Sequence, residues 1–87
     1  MSATSAGGER VLIVDDEPDI LALCSYHLAR AGYRVSTAAT GPEGLRAARE
    51  ERPALIVLDL MLPGMSGFDV LERIRADTAT RDIAVLM

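Results

Sequence analysis

The sequence predicts an α/β protein with a doubly wound parallel sheet. Short, uninterrupted apolar runs recur along the 87 residues, and a segment with helical spacing of its apolar residues separates each run from the next. Strands that alternate with helices favour parallel pairing and right-handed crossover connections. The predicted order of elements is therefore β-α-β-α-β-α-β.

The first strand and the first helix have clear signals. Val11–Val14 is a β-branched apolar run, typical of a strand that is covered on both faces. An acidic turn follows, and Pro18 with Asp19 suits the first turn of a helix that Gly32 can end. Residues at three- and four-residue steps predict the face that this helix turns to the sheet: Ile20, Leu23, Cys24, His27, Leu28 and Ala31.

The second strand and helix are less regular. Tyr33–Ala38 alternates weakly and predicts a short strand. Thr40–Glu43 matches the S/T-x-x-E capping box, which predicts a helix from there to about Glu51, ended by Pro53. Gly44 is a weakness of this helix, because glycine costs roughly 1 kcal/mol relative to alanine.

Ala54–Leu58 is the strongest predicted strand, apolar on both faces and followed by Asp59. After the Pro63-Gly64 turn, Ser66 can cap a third helix. Ile83–Met87 predicts a fourth strand. The residues of the third helix predicted to face the sheet are Val70, Leu71 and Ile74.

Composition and charge exclude several classes of protein. Hydrophobic residues make up 49% and charged residues 25%, as in globular proteins, so disordered, collagen-like and coiled-coil chains are excluded. No apolar run approaches the ~20 residues of a membrane span, and we expect residues 1–9 to be a flexible tail rather than a leader. Nine arginines against thirteen acids give a net charge of −4. Without a basic cluster, the chain is predicted to bind neither nucleic acid nor membrane.

The single cysteine and the single histidine are interpreted as structural residues. Cys24 can form neither a disulfide within the chain nor a Cys-based zinc site, and this cysteine usage suits a reducing cytoplasm. We interpret Cys24 as a small core residue. His27 has no second ligand at metal-binding spacing and is interpreted as a surface or packing residue.

Three acidic residues stand where a ligand site is expected. Asp15 and Asp16 directly follow the first strand, and Asp59 follows the third. Ligands of open parallel sheets bind outside the carboxyl ends of strands, so these carboxylates converge if the two strands are neighbours. Such a cluster takes up protons or holds a cation, and an all-oxygen ligand set favours Mg²⁺. The alternative is a set of helix-capping acids, which suits Glu17 or Asp19 but leaves Asp59 unexplained.

A magnesium cluster without a Gly-rich phosphate loop suits phosphoryl transfer onto a carboxylate. Gly7-Gly8 precedes the first strand rather than following it, so neither a P-loop nor a dinucleotide motif is present. An aspartyl-phosphate phosphatase is the enzymatic alternative. Such enzymes typically carry an acid/base aspartate two residues after the nucleophile, where this sequence has Met61. We therefore expect that the chain is not an enzyme.

Two segments resemble the receiver domain of bacterial two-component response regulators. They are the first strand with Asp15-Asp16-Glu17-Pro18, and Leu58-Asp59-Leu60-Met61-Leu62-Pro63-Gly64-Met65-Ser66-Gly67-Phe68. The resemblance runs from about Arg10 to Met87, and the Leu-Met-Leu-Pro-Gly segment is similar to regulators of the winged-helix transcription-factor class. It implies a flavodoxin-like sheet with strand order 2-1-3-4.

The resemblance also implies roles for individual residues. Asp59 would be the phosphoacceptor, which takes a phosphoryl group from a histidine kinase. Asp16 and Asp59 would bind Mg²⁺ directly together with the backbone carbonyl of Met61, while Asp15 would act mainly through water. Two residues would shape the loop beyond the acceptor: Pro63 and Gly67.

A receiver of this kind continues with a Ser or Thr after strand four, a further helix, a fifth strand followed by a Lys, and a last helix. The 87 residues contain no lysine and stop before those elements. We therefore expect residues 10–87 to be the N-terminal part of a receiver without its switch residues, phosphorylated poorly or not at all. An absent effector domain could bind DNA. The alternative is a structural or interaction fragment that associates through the open edge at Ile83–Met87.

Overall fold

The computed structural model describes residues 8–87, so most of the predicted tail at residues 1–9 lies outside the described residues. One parallel sheet has the strand order β2-β1-β3-β4, which confirms the predicted fold class and strand order. No helix among the described residues is long and apolar enough to cross a membrane. The elements are β1 (Arg10–Val14), α1 (Pro18–Arg30), β2 (Arg34–Ala38), α2 (Gly41–Glu51), β3 (Leu55–Leu58), α3 (Gly67–Ala76) and β4 (Ala84–Leu86).

The register of the sheet aligns the ends of its central strands. Val14, the last residue of β1, pairs with Leu58, the last residue of β3. On its other side, Val14 pairs with Ala38 at the end of β2. Because all strands run in the same direction, the residues that follow β1 and β3 leave the sheet side by side at its carboxyl edge.

The main core lies between the sheet and the pair α2 and α3. Successive side chains of a strand point to opposite faces, so alternate residues of β1 and β3 face these helices. Val11 and Ile13 face the opposite way and are also buried, which confirms that β1 is covered on both faces. The buried residues of the main core are Leu12, Val14, Ala38, Ala48, Ile56, Leu58, Leu62, Val70 and Ile74.

The first helix packs more loosely than predicted. None of the residues of α1 is buried, and Cys24 is only half-buried. The half-buried leucines are Leu21 and Leu28, whereas Ile20 and Leu23 are exposed, with Leu23 at 55%. The helix carries large apolar side chains on two adjacent faces, so their spacing alone did not identify which face contacts the sheet. The prediction was therefore wrong for Ile20, Leu23 and Ala31, all of which are exposed, whereas the exposed His27 agrees with its interpretation as a surface residue.

Thr40 and Ser66 cap α2 and α3 as predicted, but the capping box of α2 is only half formed, because the Glu43 carboxylate accepts the N–H of Ala39 rather than that of Thr40. The Thr40 hydroxyl accepts a hydrogen bond from the backbone N–H of Glu43 at 3.2 Å. Ser66 and Asp69 form a reciprocal capping box at the start of α3. α2 ends at Glu51 because Arg52 takes the left-handed conformation, with φ 48°. Strand bounds differ from the predicted ones by one or two residues: β1 begins at Arg10, β2 at Arg34 and β3 at Leu55, and β4 is limited to Ala84–Leu86.

Candidate metal centre

Three carboxylates meet at the carboxyl edge of the sheet. One oxygen from each of Asp15, Asp16 and Asp59 lies within 4.8 Å of the others. The backbone fixes this arrangement, because the N–H of Asp59 donates to the carbonyl of Val14 at 2.9 Å and the N–H of Asp15 donates to that of Ala38 at 3.1 Å. The three side chains therefore come together as the sequence predicted.

The three carboxylates differ in their surroundings. Asp15 is half-buried, and its Oδ1 accepts a hydrogen bond from the N–H of Glu17 at 2.9 Å. Asp59 is half-buried too, but its Oδ1 has only a long contact of 3.4 Å with the N–H of Met61. Asp16 is exposed. Asp15 is thus the most constrained of the three, while Asp16 and Asp59 keep oxygens free for a ligand.

The hydrogen bond from the N–H of Glu17 to the Asp15 carboxylate was not predicted from the sequence. Glu17 is the N-cap residue of α1 and its own side chain makes no capping hydrogen bond. The Asp15 carboxylate takes over part of that role, because aspartate readily accepts from the backbone N–H two residues further on. An aspartate two residues before the N-cap position of a helix is the signal that could have found it.

The loop after Asp59 depends on a glycine. The N–H of Gly67 donates to the carbonyl of Leu60 at 2.7 Å. A Cβ atom on Gly67 would overlap the backbone oxygen of Asp59 and lie 2.9 Å from Cα of Leu60. The Met61 side chain is 81% exposed and takes no part in packing. Position 67 therefore requires glycine, as the resemblance implied. The side chain at position 61 can vary, because it is mostly exposed.

The cluster has the chemistry of a site for a hard divalent cation. Three negative charges a few ångströms apart repel one another, and neither ion pair of the described residues involves them: these join Arg10 to Glu51 and Arg49 to Asp77. Carboxylate oxygens at an exposed edge, where water can complete an octahedral shell, fit Mg²⁺. A separate groove of about 600 Å³ between α2 and α3, lined by Leu45 and Thr80 among others, includes none of the three aspartates.

The fold and this site define a class, the doubly wound parallel α/β proteins with an acidic cluster at the carboxyl edge of the sheet. Residues 11–87 match the family model described as the response regulator receiver domain. The chain belongs to this family, whose members act in two-component signalling.

Curated relatives agree with this assignment. The chain is 50% identical over 78 residues to the DNA-binding dual master transcriptional regulator RpaA of Synechocystis. The aligned segment is 90% of this chain and 32% of RpaA. It is 48% identical over 67 residues to the alkaline phosphatase synthesis transcriptional regulatory protein PhoP of Bacillus subtilis. The aligned segment is 77% of this chain and 28% of PhoP. The chain thus spans about a third of the length of these relatives.

Solved structures show the same fold. The N-terminal domain of a response regulator receiver protein from Methanoculleus marisnigri has a TM-score of 0.88 and 47% identity, over 91% of this chain and 64% of that chain. A second structure is the receiver domain of the sensor histidine kinase PA1611 from Pseudomonas aeruginosa, which has a magnesium ion coordinated in its active site cleft. It has a TM-score of 0.86 and 30% identity, over 91% of this chain and 65% of that chain.

Proposed function

We propose that this chain accepts a phosphoryl group from a histidine kinase on Asp59, with Mg²⁺ held by Asp15, Asp16, Asp59 and the backbone carbonyl of Met61. The observation that carries the proposal is the approach of the three carboxylates to within 4.8 Å in a member of the receiver family. The magnesium ion of the PA1611 receiver supports the choice of metal. The ion supplies positive charge that offsets the charge on the transferring group.

Asp59 is the best placed nucleophile of the three aspartates. Its backbone is fixed by the bond to Val14, while its carboxylate is held only by the long contact with the N–H of Met61. In the proposed step, an Asp59 carboxylate oxygen forms a bond to phosphorus while the phosphorus–nitrogen bond of the donor phosphohistidine breaks. The leaving imidazole nitrogen takes a proton from solvent. Asp15, which is bonded to the N–H of Glu17, contributes its second oxygen through water.

The chain is proposed to be an acceptor and not a phosphatase. The residue two positions after Asp59 is Met61, whose exposed thioether cannot transfer a proton. Turnover of a phosphate monoester by the chain would contradict this part of the proposal.

The proposed partner is a histidine kinase in the cytoplasm. Cys24 is a free cysteine, which agrees with a reducing compartment. Residues 10–87 are proposed to contact neither DNA nor a membrane surface, because the net charge of the chain is −4. RpaA is described as DNA-binding, but this chain covers only 32% of it.

A magnesium titration tests the metal site. In two-dimensional NMR spectra of the ¹⁵N-labelled chain, Mg²⁺ is expected to shift the amide signals of Asp16, Asp59 and Met61 first, because the ion relieves the mutual repulsion of the carboxylates. Binding is expected to be weak. Shifts confined to surface acids such as Glu50 and Glu51 would contradict the assignment.

Labelling with a small-molecule phosphodonor tests the acceptor. Metal alone offsets only part of the phosphoryl charge, and the sequence contains no lysine. We therefore expect poor labelling even after long incubation, with whatever label forms located on Asp59 by peptide mass spectrometry and dependent on Mg²⁺. Label on another residue would contradict the acceptor role, and rapid complete labelling would show that no amine is needed.

Self-association through β4 is a second candidate, favoured by the exposure of that strand. Within residues 8–87, β4 pairs with β3 on one side only, and its Leu86 side chain is 59% exposed. No side chain of the segment Ile83–Met87 carries a charge. Unpaired N–H and C=O groups on an uncharged edge strand are a template for pairing with a second copy.

Sedimentation velocity at several concentrations tests this candidate. The average mass of the 87-residue chain is expected to rise with concentration. Leu86→Lys should reduce the association, because a charge on an edge strand opposes pairing. Leu23→Lys is the matched control, since it places the same charge at an exposed leucine of α1. A concentration-independent monomer with cooperative unfolding would refute the candidate.

A further inference from the structure

We infer that Gly44 is a positioning residue for the acidic cluster and acts through Val14; the inference rests on the magnesium site proposed above. Val14 is linked directly to both parts of the site, the Asp15-Asp16 pair and Asp59. Its carbonyl accepts the N–H of Asp59 at 2.9 Å, and Asp15 is the next residue in the chain. A displacement of Val14 therefore changes the position of the Asp15-Asp16 pair relative to Asp59.

The side chain of Val14 is in direct contact with α2 at Gly44. A Cβ atom on Gly44 would lie 2.9 Å from Cγ2 and 3.1 Å from Cγ1 of Val14. Val14 is 1% exposed. Its branched side chain has few rotamers, and the core around it is closely packed, so it cannot rotate away. The glycine that weakens α2 in isolation is thus what allows this helix to lie directly on β1.

The helix cannot readily move away instead. Its first turn is held by the Thr40 cap and by the Glu43 carboxylate, which accepts the N–H of Ala39 at 3.1 Å. Its last residue, Glu51, accepts a hydrogen bond from the hydroxyl of Ser36 in β2 at 2.6 Å. Lifting α2 would strain both ends of the helix. Part of any overlap at position 44 must therefore be relieved by movement of Val14.

A methyl group at position 44 is thus expected to disturb metal binding more than it disturbs folding. Alanine favours the helix over glycine, which compensates for part of the packing cost. Mg²⁺ requires near-ideal octahedral geometry, so a shift of a few tenths of an ångström between its ligands weakens binding. Lower magnesium affinity in a chain that remains folded is the signature of a positioning role.

The test compares the magnesium dissociation constants of five chains, measured by NMR titration at constant ionic strength. Gly44→Ala is expected to raise the dissociation constant about tenfold, the lower end of the effect of outer-shell changes on metal affinity. It should also shift the metal-free amide signals of Asp15, Asp16 and Asp59. The other four chains are the unmodified chain, Gly41→Ala, Val14→Ala, and the double variant Val14→Ala with Gly44→Ala.

Gly41→Ala is the matched control, because it makes the same change in the same helix. A Cβ atom there would lie 2.7 Å from Sδ of Met65, in a flexible side chain, and 3.1 Å from Cγ2 of Val70, and Val14 is not among its nearest contacts. Its dissociation constant should equal that of the unmodified chain. The double variant removes the γ carbons that the new methyl group meets, so its affinity should return to that of Val14→Ala alone.

The outcomes separate this inference from the proposed function. If the unmodified chain does not bind Mg²⁺ at the three aspartates, the proposed function fails, and the inference fails with it. If the unmodified chain and Gly44→Ala bind equally well, only the inference is overturned. If Gly44→Ala does not fold, Val14→Ala and the double variant are compared: equal affinities support the contact between Gly44 and Val14, and weaker binding by the double variant overturns it.

Discussion

Replacing Asp59 with asparagine is expected to abolish acyl-phosphate formation and to weaken Mg²⁺ binding by at least about tenfold, because the change removes both the proposed nucleophile and one proposed charged ligand. The same change should stabilise the metal-free chain. Two like charges 4.8 Å apart repel by about 1 kcal/mol even in a water-like dielectric. Asp59→Asn should therefore raise the melting temperature without metal and lose the increase that Mg²⁺ produces in the unmodified chain.

Asp19→Asn is the matched control for Asp59→Asn. Asp19 is an exposed acid in the first turn of α1, so its replacement makes the same change in net charge near the cluster without removing a member of it. Labelling and Mg²⁺ affinity should be nearly unchanged. Label that survives in Asp59→Asn would show that another residue is the acceptor, and full magnesium affinity in that variant would show that Asp59 is not a ligand.

Replacing Gly67 with alanine is expected to have the largest effect on stability. The added Cβ would meet backbone atoms of Asp59 and Leu60, which cannot rotate away as a side chain can. The loop or the start of α3 must shift, at the cost of the 2.7 Å bond between Gly67 and Leu60. We expect a loss of about 2–4 kcal/mol from overlap and the lost hydrogen bond. This is a large part of the stability of a small domain.

Urea denaturation measures this loss, and Gly64→Ala is its control. Gly64 lies in the same loop with φ 75°, and nothing lies within 4 Å of a Cβ placed there. Its replacement should cost only the backbone strain of a left-handed alanine, about 1 kcal/mol. Magnesium binding should be lost in Gly67→Ala and retained in Gly64→Ala. Equal urea midpoints for Gly67→Ala and the unmodified chain would contradict the close backbone approach.

The fold could be predicted because its strongest signals are local. Val11–Val14 and Ala54–Leu58 are apolar at every position, and only strands in the middle of a sheet are covered on both faces. The predicted element order is the observed one, and the strand order implied by the family resemblance is also observed. The acids that follow β1 and β3 then had to meet at one edge.

The sheet-facing side of α1 shows where local signals were insufficient. Leucine and isoleucine occur on more than one face of that helix, so the spacing of apolar residues does not by itself select one face. Only the contact with β1 and β2 selects the face with Leu21 and Leu28. Burial of a helix face is a property of what the helix packs against, so it could not be determined from α1 alone.

By itself, the sequence determined the strands, the caps of α2 and α3, and the residues that carry the acidic site. The tertiary structure alone decided the details that hold the site together: the contact of Gly44 with Val14, the approach of Gly67 to the backbone of Asp59, and the bond from Asp59 to Val14. The first and last of these join residues 30 or more positions apart in the sequence. Local periodicity reports hydrophobicity along one element, whereas such contacts depend on how closely two elements approach, which only the packed chain determines.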